Sequence, residues 1–75
     1  SALKVYPTPA DRELYVTPAA PGSPYTILDL NGRIVLSGSL TGAAIPLDVL
    51  SGGMYLLRIN TPEKSVMLRF VKSSH

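Results

Sequence analysis

The 75-residue chain has no cysteine, and its one histidine is the last residue, His75. The first absence removes disulfides, by which small extracellular domains commonly compensate for a thin core, and leaves the redox compartment open. The second leaves no histidine for a nucleophilic triad or a metal cluster within the body of the chain, so neither a metal site nor a cofactor is expected. Long apolar runs are also missing. None approaches the ~20 residues that span a bilayer as a helix, so no direct membrane insertion is expected. The N-terminus lacks the charged-then-apolar pattern of a secretory signal, and an exported form is expected to carry that signal on a larger parent. There is no run of like charge either: seven Lys or Arg and five Asp or Glu, net +2, are spread singly. That spacing argues against a nucleic-acid or lipid-headgroup surface.

What the chain does have is apolar content, 45% of residues, together with seven Pro and six Gly scattered through it. A chain this short forms one domain, and folding buries about 60–65% of its unfolded surface, so the core must be used fully. The scattered Pro and Gly leave no window for a long helix. The predicted class is all-β, a small antiparallel sandwich of about seven strands, over segments 3–6, 13–16, 25–29, 33–40, 44–47, 54–60 and 65–72. Strand starts every ten residues or so are the spacing of such a fold. The stretch 17–24, TPAAPGSP, reads as a loop. Ser1 and Ala2 read as a cloning remnant and 73–75 as a flexible tail, so the single domain 1–75 has an expected core over 3–72.

Asn31 and Gly32 tolerate positive φ between two β-rich runs and predict a hairpin. A two-residue turn pairs Leu30 with Arg33, whereas a left-handed Gly32 at a bulge pairs Asp29 with Arg33. The second is preferred, because it sets opposite charges across the strands and places Tyr25, Ile27 and Val35 on one face. A second hairpin joins the last two segments through Thr61, Pro62, Glu63 and Lys64. Period-2 alternation assigns Val5, Leu14, Ile27, Val35, Tyr55, Leu57, Leu68 and Phe70 to the core. Arg58, Arg69 and Lys72 are expected in water.

Candidate chemistry is sparse. The carboxylates Asp11, Glu13, Asp29, Asp48 and Glu63 fall at turns or strand ends, where solvated and capping roles prevail over acid–base work. Gly52 and Gly53 precede a strand and not a helix N-terminus, so they read as turn glycines instead of a phosphate loop. Tyr6, Tyr15, Tyr25 and Tyr55 suit a sugar-stacking platform in principle, but core and rim positions are preferred. The expectation is a non-catalytic domain.

Several motifs occur together in order: Val5-Tyr6-Pro7-Thr8-Pro9-Ala10, Glu13-Leu14, Tyr25 through Arg33 with Val35, Gly53-Met54-Tyr55-Leu56-Leu57-Arg58-Ile59, and Phe70-Val71-Lys72. In this the chain resembles the C-terminal sorting domain of the type IX secretion system, the type A signal, from Leu3 to Lys72. It departs at Thr8, where the family usually has Asn, and in the Ser73-Ser74-His75 extension. The resemblance implies an immunoglobulin-like sandwich that directs a cargo protein from the periplasm through an outer-membrane translocon. It implies arrival at the surface of a Gram-negative cell or in the medium, and removal by a sortase-like peptidase. Translocon recognition would then fall on Gly53, Tyr55, Arg69, Phe70, Val71 and Lys72. Pro7, Pro9, Asp29, Asn31, Gly32 and Arg33 would be structural motif positions. The alternative is an accessory sandwich that packs on a catalytic domain or binds carbohydrate.

Overall fold

The computed structural model describes residues 3–18 and 21–73. Readings that fall on Ser1, Ala2, Ala19, Ala20, Ser74 and His75 lie outside those residues. Seven strands form in chain order: β1 (Lys4–Tyr6), β2 (Glu13–Thr17), β3 (Pro24–Leu28), β4 (Ile34–Ser39), β5 (Ala44–Pro46), β6 (Gly53–Asn60) and β7 (Ser65–Lys72). They make two antiparallel sheets, a three-stranded one ordered β1-β2-β5 and a four-stranded one ordered β4-β3-β6-β7. The all-β reading holds, and each expected segment coincides with a strand to within two residues at either end.

Leu14 and Val16 of one sheet meet Ile27, Leu57, Ile59 and Phe70 of the other in a single interior cluster. Period-2 alternation creates it, since one face of each strand points between the sheets. Leu14, Ile27, Tyr55, Leu57 and Phe70 are buried as anticipated, while Val5, Val35 and Leu68 are half-buried. Much of the remaining interior comes from residues outside the strands: Ala10, Leu40, Leu47 and Leu50. Tyr25 and Tyr55 are also interior, so the four tyrosines form no common platform.

The β3–β4 turn follows the preferred register. Asp29 N donates to Arg33 O at 2.9 Å, Gly32 N to Asp29 O at 3.0 Å, and Gly32 has φ +85°. The Asp29 carboxylate accepts from Asn31 N and Arg33 N, both at 2.9 Å, and lies 3.3 Å from Arg33 Nε. These contacts, led by the Arg33 amide, hold the Asp29 carboxyl below the usual carboxylate range. A further bulge, between Ile27 and Leu28, was not anticipated. It sets Ile27 opposite Leu36, so Val35 becomes the extra residue and does not pair with Ile27.

Candidate functional site

The terminal strand β7 pairs with β6 along its whole length, from Asn60 opposite Ser65 to Gly53 opposite Lys72. Its other side is the edge of the sheet. Alternation makes the strand two-sided. Val66, Leu68, Phe70 and Lys72 share the inner face, and Met67, Arg69 and Val71 the outer one.

Lys72 corrects an expectation. It is only 5% exposed, because it lies two residues beyond Phe70 and inherits the same inward direction. Its Nζ donates to Ser73 O at 3.0 Å, and Lys72 lines a surface pocket together with Asp11, Arg12 and Asp48. The alternation extends to this lysine despite its charge. Arg58 and Arg69 are exposed as expected.

Four of the six recognition candidates form two cross-strand pairs between β6 and β7. Phe70 is opposite Tyr55, with ring centroids 5.8 Å apart and planes inclined by 26°. Tyr55 Oη donates to Ser51 O at 2.8 Å, fixing the turn that leads into β6. Gly53, opposite Lys72, has φ +152°, a conformation that L side chains rarely adopt, although no atom crowds the place a Cβ would take. Arg69 and Val71, the other two, lie on the outer face.

The end of β7 is held by the β1–β2 corner, which carries Pro7 and Pro9. Ala10 N donates to Val71 O and Ser73 N to Ala10 O, each at 2.7 Å, while Ser73 Oγ also reaches Ala10 O at 2.9 Å. Val71 N donates to Thr8 Oγ1 at 3.2 Å. Thr8 thus supplies an oxygen acceptor where Asn would carry a carbonyl, so the departure keeps a hydrogen-bonding side chain at that corner. Ser73 is tied down and not part of a loose tail. Ala10 is fully buried, and it forms an isolated parallel bridge with Lys72. Sequence reasoning missed Ala10 and Ser73 as anchors because neither lies in a periodic segment.

These bonds define where the edge is open. The backbone groups of Val71 point away from β6, so two-residue alternation directs those of Ser65, Met67 and Arg69 outward too. The corner occupies Val71 and Ser73 and leaves the earlier half uncovered. Asp29, Asn31, Gly32 and Arg33 form the turn at the opposite margin of the sheet. On the three-stranded sheet Tyr6 and Tyr15 stack at 5.4 Å, and Tyr15 Oη donates to Glu13 Oε1 at 2.9 Å, which raises the Tyr15 phenol.

The chain matches the family of secretion system C-terminal sorting domains over residues 4–73. Among solved structures it is similar to part of PorZ, described as an essential bacterial surface component of the type IX secretion system of Porphyromonas gingivalis. The TM-score is 0.73 at 19% identity, and the similarity covers 93% of this chain and 11% of that one. Among curated proteins, none matches.

Proposed function

The chain belongs to the type IX secretion C-terminal sorting domains, and from that membership we propose that it carries a cargo protein, joined upstream of it, from the periplasm through the outer-membrane translocon. Family membership already gives the coarser role: a non-catalytic sorting domain for export to the surface of, or secretion from, a Gram-negative bacterium. The finer reading adds two partners, the translocon that accepts the folded domain and a sortase-like peptidase that removes it ahead of β1. The observation that carries it is that the family match runs through the whole fold to Ser73 and so includes the terminal edge strand.

On this reading Gly53, Tyr55, Phe70 and Lys72 serve recognition by holding β7 in place, and Arg69 and Val71 by facing outward. An uncovered strand edge offers backbone donors and acceptors to a second strand, while exposed charge on it discourages indiscriminate pairing. The test fuses the chain behind a periplasmic reporter in a host that possesses this secretion system. Surface delivery and a reporter shortened by the length of this domain are expected. A reporter that stays in the periplasm overturns the sorting role, and delivery of an uncleaved fusion overturns the peptidase step alone.

A further inference from the structure

The outer face of the four-stranded sheet carries an apolar row that the core does not use. Register places Ile34, Leu28 and Leu56 side by side across β4, β3 and β6. Leu28 is 9% exposed yet lies outside the interior cluster, so neighbours on this outer face and its margin cover it. Met54 and Val71 continue the patch on one side, and Met67 bounds it on the other. Ile34, Met54 and Met67 are 62%, 42% and 49% exposed.

Charge on this face has one sign. Arg69 ends the apolar row, opposite Leu56, and Arg58 sits in the next row between Thr26 and Met67. Neither is ion-paired among the described residues, where the salt bridge is Arg33–Asp29. The carboxylates are elsewhere or already paired: Glu13 is on β2, Asp11 and Asp48 flank the pocket near Lys72, Glu63 is in the β6–β7 turn, and Asp29, in the turn at the margin of this face, is held by Arg33. Apolar side chains left in water beside unpaired guanidinium groups are the composition of an interface.

We propose that this face docks on a protein surface whose apolar centre is rimmed by carboxylates, with Arg58 and Arg69 engaging the rim and Ile34, Leu56 and Met54 the centre. A second copy of the chain is disfavoured because it would bring arginine to arginine. The guanidinium fork suits planar carboxylates, and side chains spread flat over a pleated sheet suit a matching protein face better than insertion between lipids. The assignment rests on the sorting reading, and it gives the chemistry of the receptor that the reading requires.

The experiment uses the reporter fusion with Arg58→Glu/Arg69→Glu, the charge-preserving Arg58→Lys/Arg69→Lys, and Ile34→Asp, each checked for unchanged thermal unfolding. Lys4→Glu/Lys64→Glu makes the same net change away from the face. Rim charges act on encounter and specificity, so surface delivery is expected to fall about tenfold or more for the reversal, and clearly for Ile34→Asp. The lysine pair, which keeps the charge and loses the planar fork, is expected to lose less than the reversal, and the distal control is expected to stay within about twofold of wild type. Equal delivery by the reversal, or an equal loss in the distal control, overturns the docking face and leaves sorting intact. Failure of the wild-type fusion overturns the sorting reading, and this assignment falls with it. Binding of the purified domain to phosphatidylglycerol vesicles, abolished by the reversal, would replace the protein partner with an anionic lipid surface.

Discussion

Truncating Phe70 to alanine tests whether the terminal motif is a structural member of the fold. Phe70 is 1% exposed and stacks on Tyr55 in the interior cluster. Removing a buried phenyl ring leaves a cavity that neighbours on two paired strands cannot collapse to fill, at a cost of roughly 3–5 kcal/mol. A chain of this length has about 4–11 kcal/mol of total stability at the usual range per residue. The variant should therefore lose between about a quarter and all of it. With a urea slope of about 1 kcal/mol per molar, the unfolding midpoint should fall by about 3 M or disappear into the folded baseline. The thermal midpoint should drop by roughly 12–40 °C. Far-UV circular dichroism and the fluorescence of the four tyrosines report the transition. Phe70→Leu, which keeps most of the volume, should cost about 1.5 kcal/mol or less. A Phe70→Ala midpoint within about 1 M of wild type would show that the site relaxes freely, and the reasoning would fail.

Gly53→Val should destabilise the β6–β7 hairpin by ~1 kcal/mol or more, through backbone conformation and not through crowding; an unchanged urea midpoint would contradict that role. Arg69→Ala should change stability by about 0.5 kcal/mol or less, whereas Lys72→Ala, which removes a buried stem and the hydrogen bond to Ser73 O, should cost about 1–2 kcal/mol. Equal midpoints for the two variants would contradict the inward position of Lys72. Because the folded Asp29 carboxyl titrates below its unfolded value near ~3.9, its contribution is complete above that pH and is lost as pH falls through the lower folded value. The stability gap between wild type and Asp29→Ala should accordingly be constant from about pH 5 to 7 and narrow as pH falls below about 4. A gap that does not change over that acid range would contradict the assignment.

The strands were legible because proline and glycine punctuate them and because apolar residues recur every second position within each segment. The Asn31-Gly32 turn was legible for a chemical reason, the positive φ it requires. The bulge after Ile27 was not, because Val35 and Leu36 are both aliphatic and either could face inward. Ala10, Leu40, Leu47 and Leu50 lie where alternation has stopped, so their burial depends on how the corners pack between the sheets. Lys72 is a different failure. Its parity with Phe70 was there to be read, and the habit of sending lysine to water overrode it; a long stem with a terminal hydrogen bond tolerates the buried position. The site was less legible than the fold, because the bonds from Thr8, Ala10 and Ser73 join segments some 63 residues apart.

The two-sidedness of β7 bears on how a receptor can read this domain. Phe70 points inward, Lys72 is buried, and the backbone of Val71 is occupied by Thr8 and Ala10, so in the folded state the final motif offers few free groups. The accessible part of the strand comes earlier, at Met67 and Arg69, where the uncovered edge meets the apolar outer face. Deleting the last residues would strip the interior of Phe70 and release the corner that links β7 to the three-stranded sheet, so the resulting loss of export would report unfolding as readily as lost recognition. Substitutions at Met67 and Arg69 change what a receptor meets while leaving the interior packed. If the folded domain is what the translocon accepts, its address lies on that outward half of the strand, and Phe70 and Lys72 act by holding it in place.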